Sequence, residues 1–396
     1  MKSEEKKRLQ GNIWKSYVFQ IFSALAFFVP IIVLFWQENG LSLTEVMILQ
    51  SLFSLTVVFL EVPSGYVADI FGRKKALISA GFFLTIGIFV YSFGHNFYQF
   101  LIAEMLWAFG VSFVSGTDSA LIYDTLTDLK KESTFKKVMG NVFFYSLIAT
   151  SIASIIGGFI GKIDFRWTFY LMIPFMILLI PLAFSLKEPK RHKIIFERGY
   201  LVELIKILKY SFVENIKLRW LIIYSAVIMG FNGAILWLYQ PYFQLSGLDI
   251  LHFGFVFAAF NLVAALSSKY AHKIEEKMGQ KYSLMMLIIL TGGSYLLMSN
   301  FIYLFSFCFA FLQQFVRGYS KPVITDYINK LTTSDVRATV LSAQNLMGRL
   351  FYSAIIPVIG WIADVYTLIQ AITVLGITTL IVGVGILFIL HKNKVV

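Results

Sequence analysis

Apolar stretches of about 20 residues recur almost from end to end of this 396-residue chain, and they constrain its fold more than any other feature. A helix rises about 1.5 Å per residue, so each stretch is long enough to cross the ~30 Å hydrocarbon layer of a bilayer. In that solvent the backbone must satisfy its own hydrogen bonds, which a helix does within a single segment. Twelve spans are expected, near residues 15–37, 46–68, 76–95, 98–122, 138–160, 166–186, 219–243, 251–270, 282–299, 301–325, 338–362 and 366–390. Hydrophobic residues make up 58% of the chain and charged ones 14%, with a mean hydropathy of +0.75, a balance foreign to soluble globular domains. The expected fold class is an all-α integral membrane protein with twelve transmembrane helices.

The net charge of +12 does not point to nucleic acid, because the cations form no basic soluble module. They sort by side of the membrane instead. Lys2, Lys6, Lys7, Arg8, Arg73–Lys75, Lys130, Lys131, Lys136, Lys137, residues 187–219, Lys269–Lys281, Lys330, Arg337, Lys392 and Lys394 fall on one face of the twelve-span arrangement. The opposite loops carry only Lys162 and Arg166. The positive-inside rule then places both termini in the cytoplasm of a cell (inner) membrane protein. Met1–Leu9 is charged and no cleavage signature follows, so the first span is expected to be retained. Cys308 stands alone and the five histidines are scattered, so no disulfide or metal site is expected. No phosphate-cradling glycine loop is present, and no cofactor or ATP-driven step is expected.

Residues 187–217 form the longest polar insertion and divide the chain almost in half. Within them, Leu201, Leu204, Ile205 and Leu208 fall on one face of an expected amphipathic helix over Tyr200–Tyr210. The halves also match at a constant separation of 207 residues: Gln37, Gly40 and Leu41 with Gln244, Gly247 and Leu248, Phe53 and Leu55 with Phe260 and Leu262, Gly72 and Lys74 with Gly279 and Lys281. The expected organisation is a bundle over 1–186, a cytoplasmic linker over 187–217 and a second bundle over 218–396.

The run from Gly65 to Lys75 joins two spans through a short charged turn. Gly65 allows close helix approach, Asp69 can sit against a helix N-terminus, Gly72 permits a sharp reversal, and Arg73–Lys75 mark the cytoplasmic side. This Gly, Asp, Gly spacing resembles the loop signature of major facilitator superfamily transporters, closest in pattern to the bacterial twelve-helix drug/proton antiporters. The resemblance implies two pseudo-symmetric six-helix bundles with a substrate site between them near mid-bilayer. It also implies that Asp69, Arg73 and Asp124 form a charge network that closes the cytoplasmic side and rearranges during transport; the alternative is a static loop clamp.

Charged groups inside spans are costly and are functional candidates by default. In the fourth span, Glu104, Ala108, Val111, Ser115 and Asp118 recur at steps of three or four, which on an unbroken helix puts Glu104 and Asp118 near one stripe, about 21 Å apart. Antiporters of the superfamily often carry an Arg four residues before a Gly where this chain has Glu104 and Ala108. Glu104 and Asp118 are therefore the candidates for binding a proton on one side and releasing it on the other, with Glu61 of the second span a third; the alternative is a carboxylate hydrogen-bonded between helices. Arg349 and Asn345, in the eleventh span at comparable depth, are candidate partners of Glu61. Gln313, Arg317 and Lys321 form a polar stripe on the tenth span. With Gln20, Trp237 and Gln240 they are candidate substrate or counter-charge residues. Gly140, Ala149, Ala153, Ser154, Gly157 and Gly158 have the spacing of the drug-antiporter signature of the fifth span, with Ser154 in place of its Pro, and allow close packing on the eighth.

The function expected is secondary active transport by alternating access: proton-coupled efflux of amphiphilic drugs or metabolites by a chain that works as a monomer. Its partners are the small-molecule substrate, protons or another coupling ion, and the bilayer. Proton-coupled uptake, or export of a lipid or siderophore-like metabolite, are the alternatives. A polytopic enzyme or sensor finds no reactive constellation here.

Overall fold

A computed structural model describes residues 3–190, 212, 215–333 and 336–395. The chain is helical, and among the described residues nine helices are long and apolar enough to cross a membrane. The difference from twelve has three local causes. The first span is split into α1 (Ser3–Ala24) and α2 (Ile32–Glu38), with the second piece short. The eighth and ninth spans run on as the 51-residue α11 (Ile250–Asn300), bent where Gly279 takes φ 72° and ψ 170°. The tenth, α12 (Ala310–Lys330), follows a 3-10 turn over Leu304–Phe309 and is too polar to stand out by hydropathy. The expected amphipathic helix at 200–210 lies outside the described residues.

The remaining helices are α3 (Leu43–Phe71), α4 (Arg73–Phe93), α5 (Phe97–Val114), α6 (Thr117–Asp128), α7 (Phe135–Ile163), α8 (Arg166–Ser185), α9 (Ile216–Ala234), α10 (Tyr239–Leu245), α13 (Arg337–Val365) and α14 (Leu368–Lys392). The two sequence halves share turn geometry: Gly40 and Gly247 have φ of 86° and 82°, and Gly72 and Gly279 have φ of 116° and 72°. Side chains with a Cβ rarely adopt this left-handed region, so the repeated glycines mark repeated turns.

Two compact units are present. Unit 1 comprises Met1–Gly40, Leu52–Ile195 and Ile250–Ala258; unit 2 comprises Leu41–Ser51, Phe196–Asp249 and Ala259–Val396. Each therefore contains the opening turns of a helix whose remainder lies in the other, α11 in unit 1 and α3 in unit 2.

In unit 1, α4 packs between α5 and α8, most tightly where a Cβ on Gly110 of α5 would come within 2.6 Å of the Leu84 side chain of α4. A Cβ on Gly87 would lie 3.4 Å from the Ala103 carbonyl of α5, and one on Gly81 would lie 3.4 Å from Ile180 of α8. The turn between α1 and α2 seats on α7, where a Cβ on Gly157 would come within 1.9 Å of the Phe27 carbonyl oxygen. In unit 2, α9 packs against α13, with Gly230 under the Phe351 ring, and α14 fits the second half of α11 through Gly376 and Gly383. Buried tyrosines tie these helices by their hydroxyls: Tyr224 donates to the Leu284 carbonyl at 2.6 Å and Tyr295 to that of Phe231 at 2.5 Å. Outward-facing Phe59, Phe82, Phe143, Ile381 and Phe388 suit a hydrocarbon surround.

Candidate functional site

The turn between α3 and α4 is built around a reversal at Gly72, after which the first N–H groups of α4 need acceptors. Glu188 supplies both, taking the Arg73 amide at 2.9 Å on one oxygen and the Lys74 amide at 2.8 Å on the other. A Cβ on Gly72 would come within 2.9 Å of that carboxylate, the movable end of a side chain, so it is the φ of 116° that favours glycine here. The Arg73 side chain donates to Asp69 at 2.6 Å and ion-pairs with Asp124 of α6 at 3.6 Å. The three residues picked from sequence thus meet, joined by a fourth that sequence reasoning had left in the linker. The same segment is held again by Asn12, which exchanges hydrogen bonds with the Lys187 backbone (2.7 and 2.9 Å) and donates to Thr125 at 3.0 Å, and by Asp128, which accepts the Lys190 amide at 2.7 Å. The expectation for Gly65 is corrected: a Cβ there would meet nothing within 4 Å, so it is not a point of close helix approach.

The fourth span is not one helix. It breaks at Ser115–Gly116, where Gly116 has φ 75°, and restarts as α6 with Asp118 in its first turn. The single stripe expected to carry both Glu104 and Asp118 is corrected accordingly, because the break resets the helical phase. Asp118 accepts from Gln20 of α1 at 2.5 Å and from the Ser119 amide at 2.7 Å, so a fourth-span carboxylate and a first-span amide are brought together in unit 1. Glu104, 5% exposed, accepts a hydrogen bond from the Tyr91 hydroxyl of α4. The Tyr91 ring is wedged among Phe28, Phe100 and Phe169, with centroids 5.3 to 6.3 Å away, and Trp36 at 6.4 Å. The buried carboxyl of Glu104 is thus held by a hydroxyl whose ring is fixed among aromatics. Glu61 is exposed on α3, two residues before Pro63.

Unit 2 holds its polar groups differently. Gln313, fully buried on α12, accepts from the Tyr239 hydroxyl and donates to Ser294 at 2.9 Å, while Asn232 donates to its backbone carbonyl at 3.1 Å. Gln314 donates to the same Tyr239 hydroxyl at 3.1 Å. Arg317, exposed on the same helix, donates to Asn261 of α11 at 2.9 Å. Trp237 donates to the Tyr352 hydroxyl at 2.6 Å, and Gln240 is buried. Asn345 and Arg349 lie one turn apart on α13, exposed and half-buried. Tyr91, Ser294 and Asn261 were missed from sequence; their roles depend on which helices neighbour one another.

Each unit also contains a tight crossing at the helix opening it takes from the other sequence half. In unit 1, α7 meets the start of α11 backbone to backbone: a Cβ on Gly254 would lie 2.2 Å from the Ser154 carbonyl oxygen, and one on Gly158 2.9 Å from the Gly254 nitrogen. The expected packing of the fifth span on the eighth is thereby met. In unit 2, Asp364 of α13 accepts from the Leu43 amide at 3.0 Å, the Thr44 amide at 2.7 Å and the Thr44 hydroxyl at 2.5 Å, capping the start of α3. Ser51 donates to the Ser353 carbonyl at 2.7 Å further along the same crossing.

This helical plan with repeated glycine turns and a charged α3–α4 loop invites comparison with known transporters, and the sequence profile of the Major Facilitator Superfamily matches residues 16–357. The chain belongs to the Major Facilitator Superfamily. It is therefore a multi-pass membrane transporter of small molecules rather than an enzyme. It is 25% identical over 348 residues to the uncharacterized MFS-type transporter YxaM of Bacillus subtilis, covering 84% of this chain and 85% of that one. Multidrug resistance protein 1 of the same organism is 27% identical over 191 residues, 48% of each chain. Among solved structures, a variant of the nucleoside transporter NupG superposes with a TM-score of 0.81 over 98% of this chain and 99% of that one at 13% identity, a likeness of superfamily fold.

Proposed function

We propose that this chain is a proton-coupled secondary transporter that exports amphiphilic small molecules by alternating access, acting as a monomer in the cell membrane with both termini in the cytoplasm. The observation that carries the proposal is Glu104, a buried ionisable side chain that accepts from the hydroxyl of Tyr91, whose ring packs among other aromatics. A carboxylate buried this way costs several kcal/mol when charged without compensation, so its proton is sensitive to whatever changes its surroundings. A group of that kind can couple a proton gradient to a change of state. The Asp118–Gln20 pair is the second such candidate, and Asp69, Arg73, Asp124 and Glu188 form the cytoplasmic gate. Partial similarity to a multidrug resistance protein supports export over uptake.

The test uses everted vesicles with an acidic lumen and two amphiphilic probes, ethidium and pyrenebutyrate. Gradient-dependent accumulation of either, abolished by an uncoupler and at least about tenfold lower in Glu104→Gln with probe binding retained, is the expected result. Full gradient-driven accumulation in Glu104→Gln removes Glu104 from the coupling role, and accumulation only in right-side-out vesicles replaces export by uptake.

A further inference from the structure

The in-span charges of unit 2 are all of one sign near Arg317. Arg317 and Lys321 lie one turn apart on the exposed side of α12, and among the described residues no carboxylate of their own unit lies within 4 Å of either. Arg317 uses one donor, to the neutral Asn261 at 2.9 Å, while a guanidinium has five N–H groups and a charge that persists at any physiological pH. Its place is fixed by the fold. The next residue, Gly318, lies so close to α11 that a Cβ would come within 2.1 Å of the Ala264 carbonyl oxygen, which locks α12 onto α11 beside the Arg317–Asn261 pair. One turn before Arg317, Gln314 is held by its amide N–H on the Tyr239 hydroxyl, and its side-chain carbonyl is buried without a hydrogen-bond partner. A fixed cation with free donors and an orphan acceptor one turn away therefore share one stretch of α12.

An uncompensated guanidinium at this depth is not stable against hydrocarbon. It must meet water or an anion, and planar bidentate geometry matches a carboxylate or sulfonate best. From this we infer that Arg317 is the recognition residue for an anionic group of the transported molecule, with Asn261 setting the plane of the guanidinium and the Gln314 carbonyl accepting from a donor on the same molecule. The solute class is then an amphiphilic organic acid. This deepens the transporter reading and rests on it for the word transported, while the binding claim stands at equilibrium without any gradient.

The experiment titrates the purified full chain, in nanodiscs of zwitterionic phosphatidylcholine, with pyrenebutyrate and with pyrenebutyltrimethylammonium, which share an apolar body and differ in charge. The acid is expected to bind at least about tenfold more tightly than the cation, and Arg317→Gln to erase that preference. Arg317→Lys, which keeps the charge without the fork, is expected to lose about three- to tenfold and serves as the second variant if the Gln form does not fold. Equal affinity of the acid for wild type and Arg317→Gln, preference for the cation, or binding of neither probe overturns the inference. A failed Glu104→Gln flux test alongside retained Arg317-dependent binding would fault the coupling reading alone.

Discussion

The crossing inside unit 1 and the crossing inside unit 2 occupy equivalent places in the repeat, since a separation of 207 residues carries 41–51 onto 248–258, and the second adds a carboxylate to a glycine contact that both have. In unit 1, Ser154 and Gly254 bring two backbones into direct contact. In unit 2 a glycine also lets the helices meet, since a Cβ on Gly360 would lie 2.8 Å from the Leu43 carbonyl oxygen, and a carboxylate, Asp364, adds three accepted hydrogen bonds at the mouth of α3. Packing contacts fail steeply when volume is added, whereas a carboxylate cap is lost in one graded step. The second crossing therefore carries a polar tie that can be removed without adding volume. Internally the units diverge in the opposite sense, since unit 1 buries the carboxylic Glu104 on α5 and unit 2 the neutral Gln313 on α12.

The harshest way to break this contrast is Gly254→Ala, whose methyl would sit 2.2 Å from the Ser154 oxygen. A loss of several degrees in melting temperature, or of folded protein altogether, is expected in fluorescence-detected gel filtration, from an overpacking cost of about 1–3 kcal/mol or more. Gly293→Ala, with open space around its Cβ, is the tolerated control. A smaller effect is expected of Asp364→Ala, which removes a cap worth about 1 kcal/mol. In a Cys308→Ser background, Ser51→Cys should then react about fivefold faster with an impermeant maleimide added to intact cells. Unchanged labelling would mean that the Asp364 crossing is as static as the glycine one. The smallest effect is expected of Glu188→Gln, which keeps one acceptor and gives up charge; about 0.5–1 kcal/mol in thermal unfolding separates a structural cap from an irreplaceable gate.

Spans, order and loop motif were legible because a bilayer punishes any other arrangement of such apolar runs. The break at Ser115–Gly116 was not, since a two-residue kink leaves average hydropathy untouched. Its trace was the Ser-Gly-Thr-Asp run, a helix-start pattern buried in an apolar stretch. Asp364 reads locally as an ordinary polar residue near the end of a span, because its partners lie 320 and 321 positions away. Glu104 was in view, but its pairing with Tyr91 follows from the fit of α4 against α5, which Gly110 permits. Glu188 sat among the charges of a connector, and only the coordinates assign its two oxygens.

That assignment has a further consequence. The peptide leaving α8 is fastened at Lys187 by Asn12, at Glu188 by the opening of α4 and at Lys190 by Asp128, so the exit from the sixth span is part of the first half's own architecture. Severing the polypeptide downstream of Lys190 would leave every one of those ties intact. The charge cluster at the α3–α4 turn thus carries its fourth member on a short leash, supplied from within the first half.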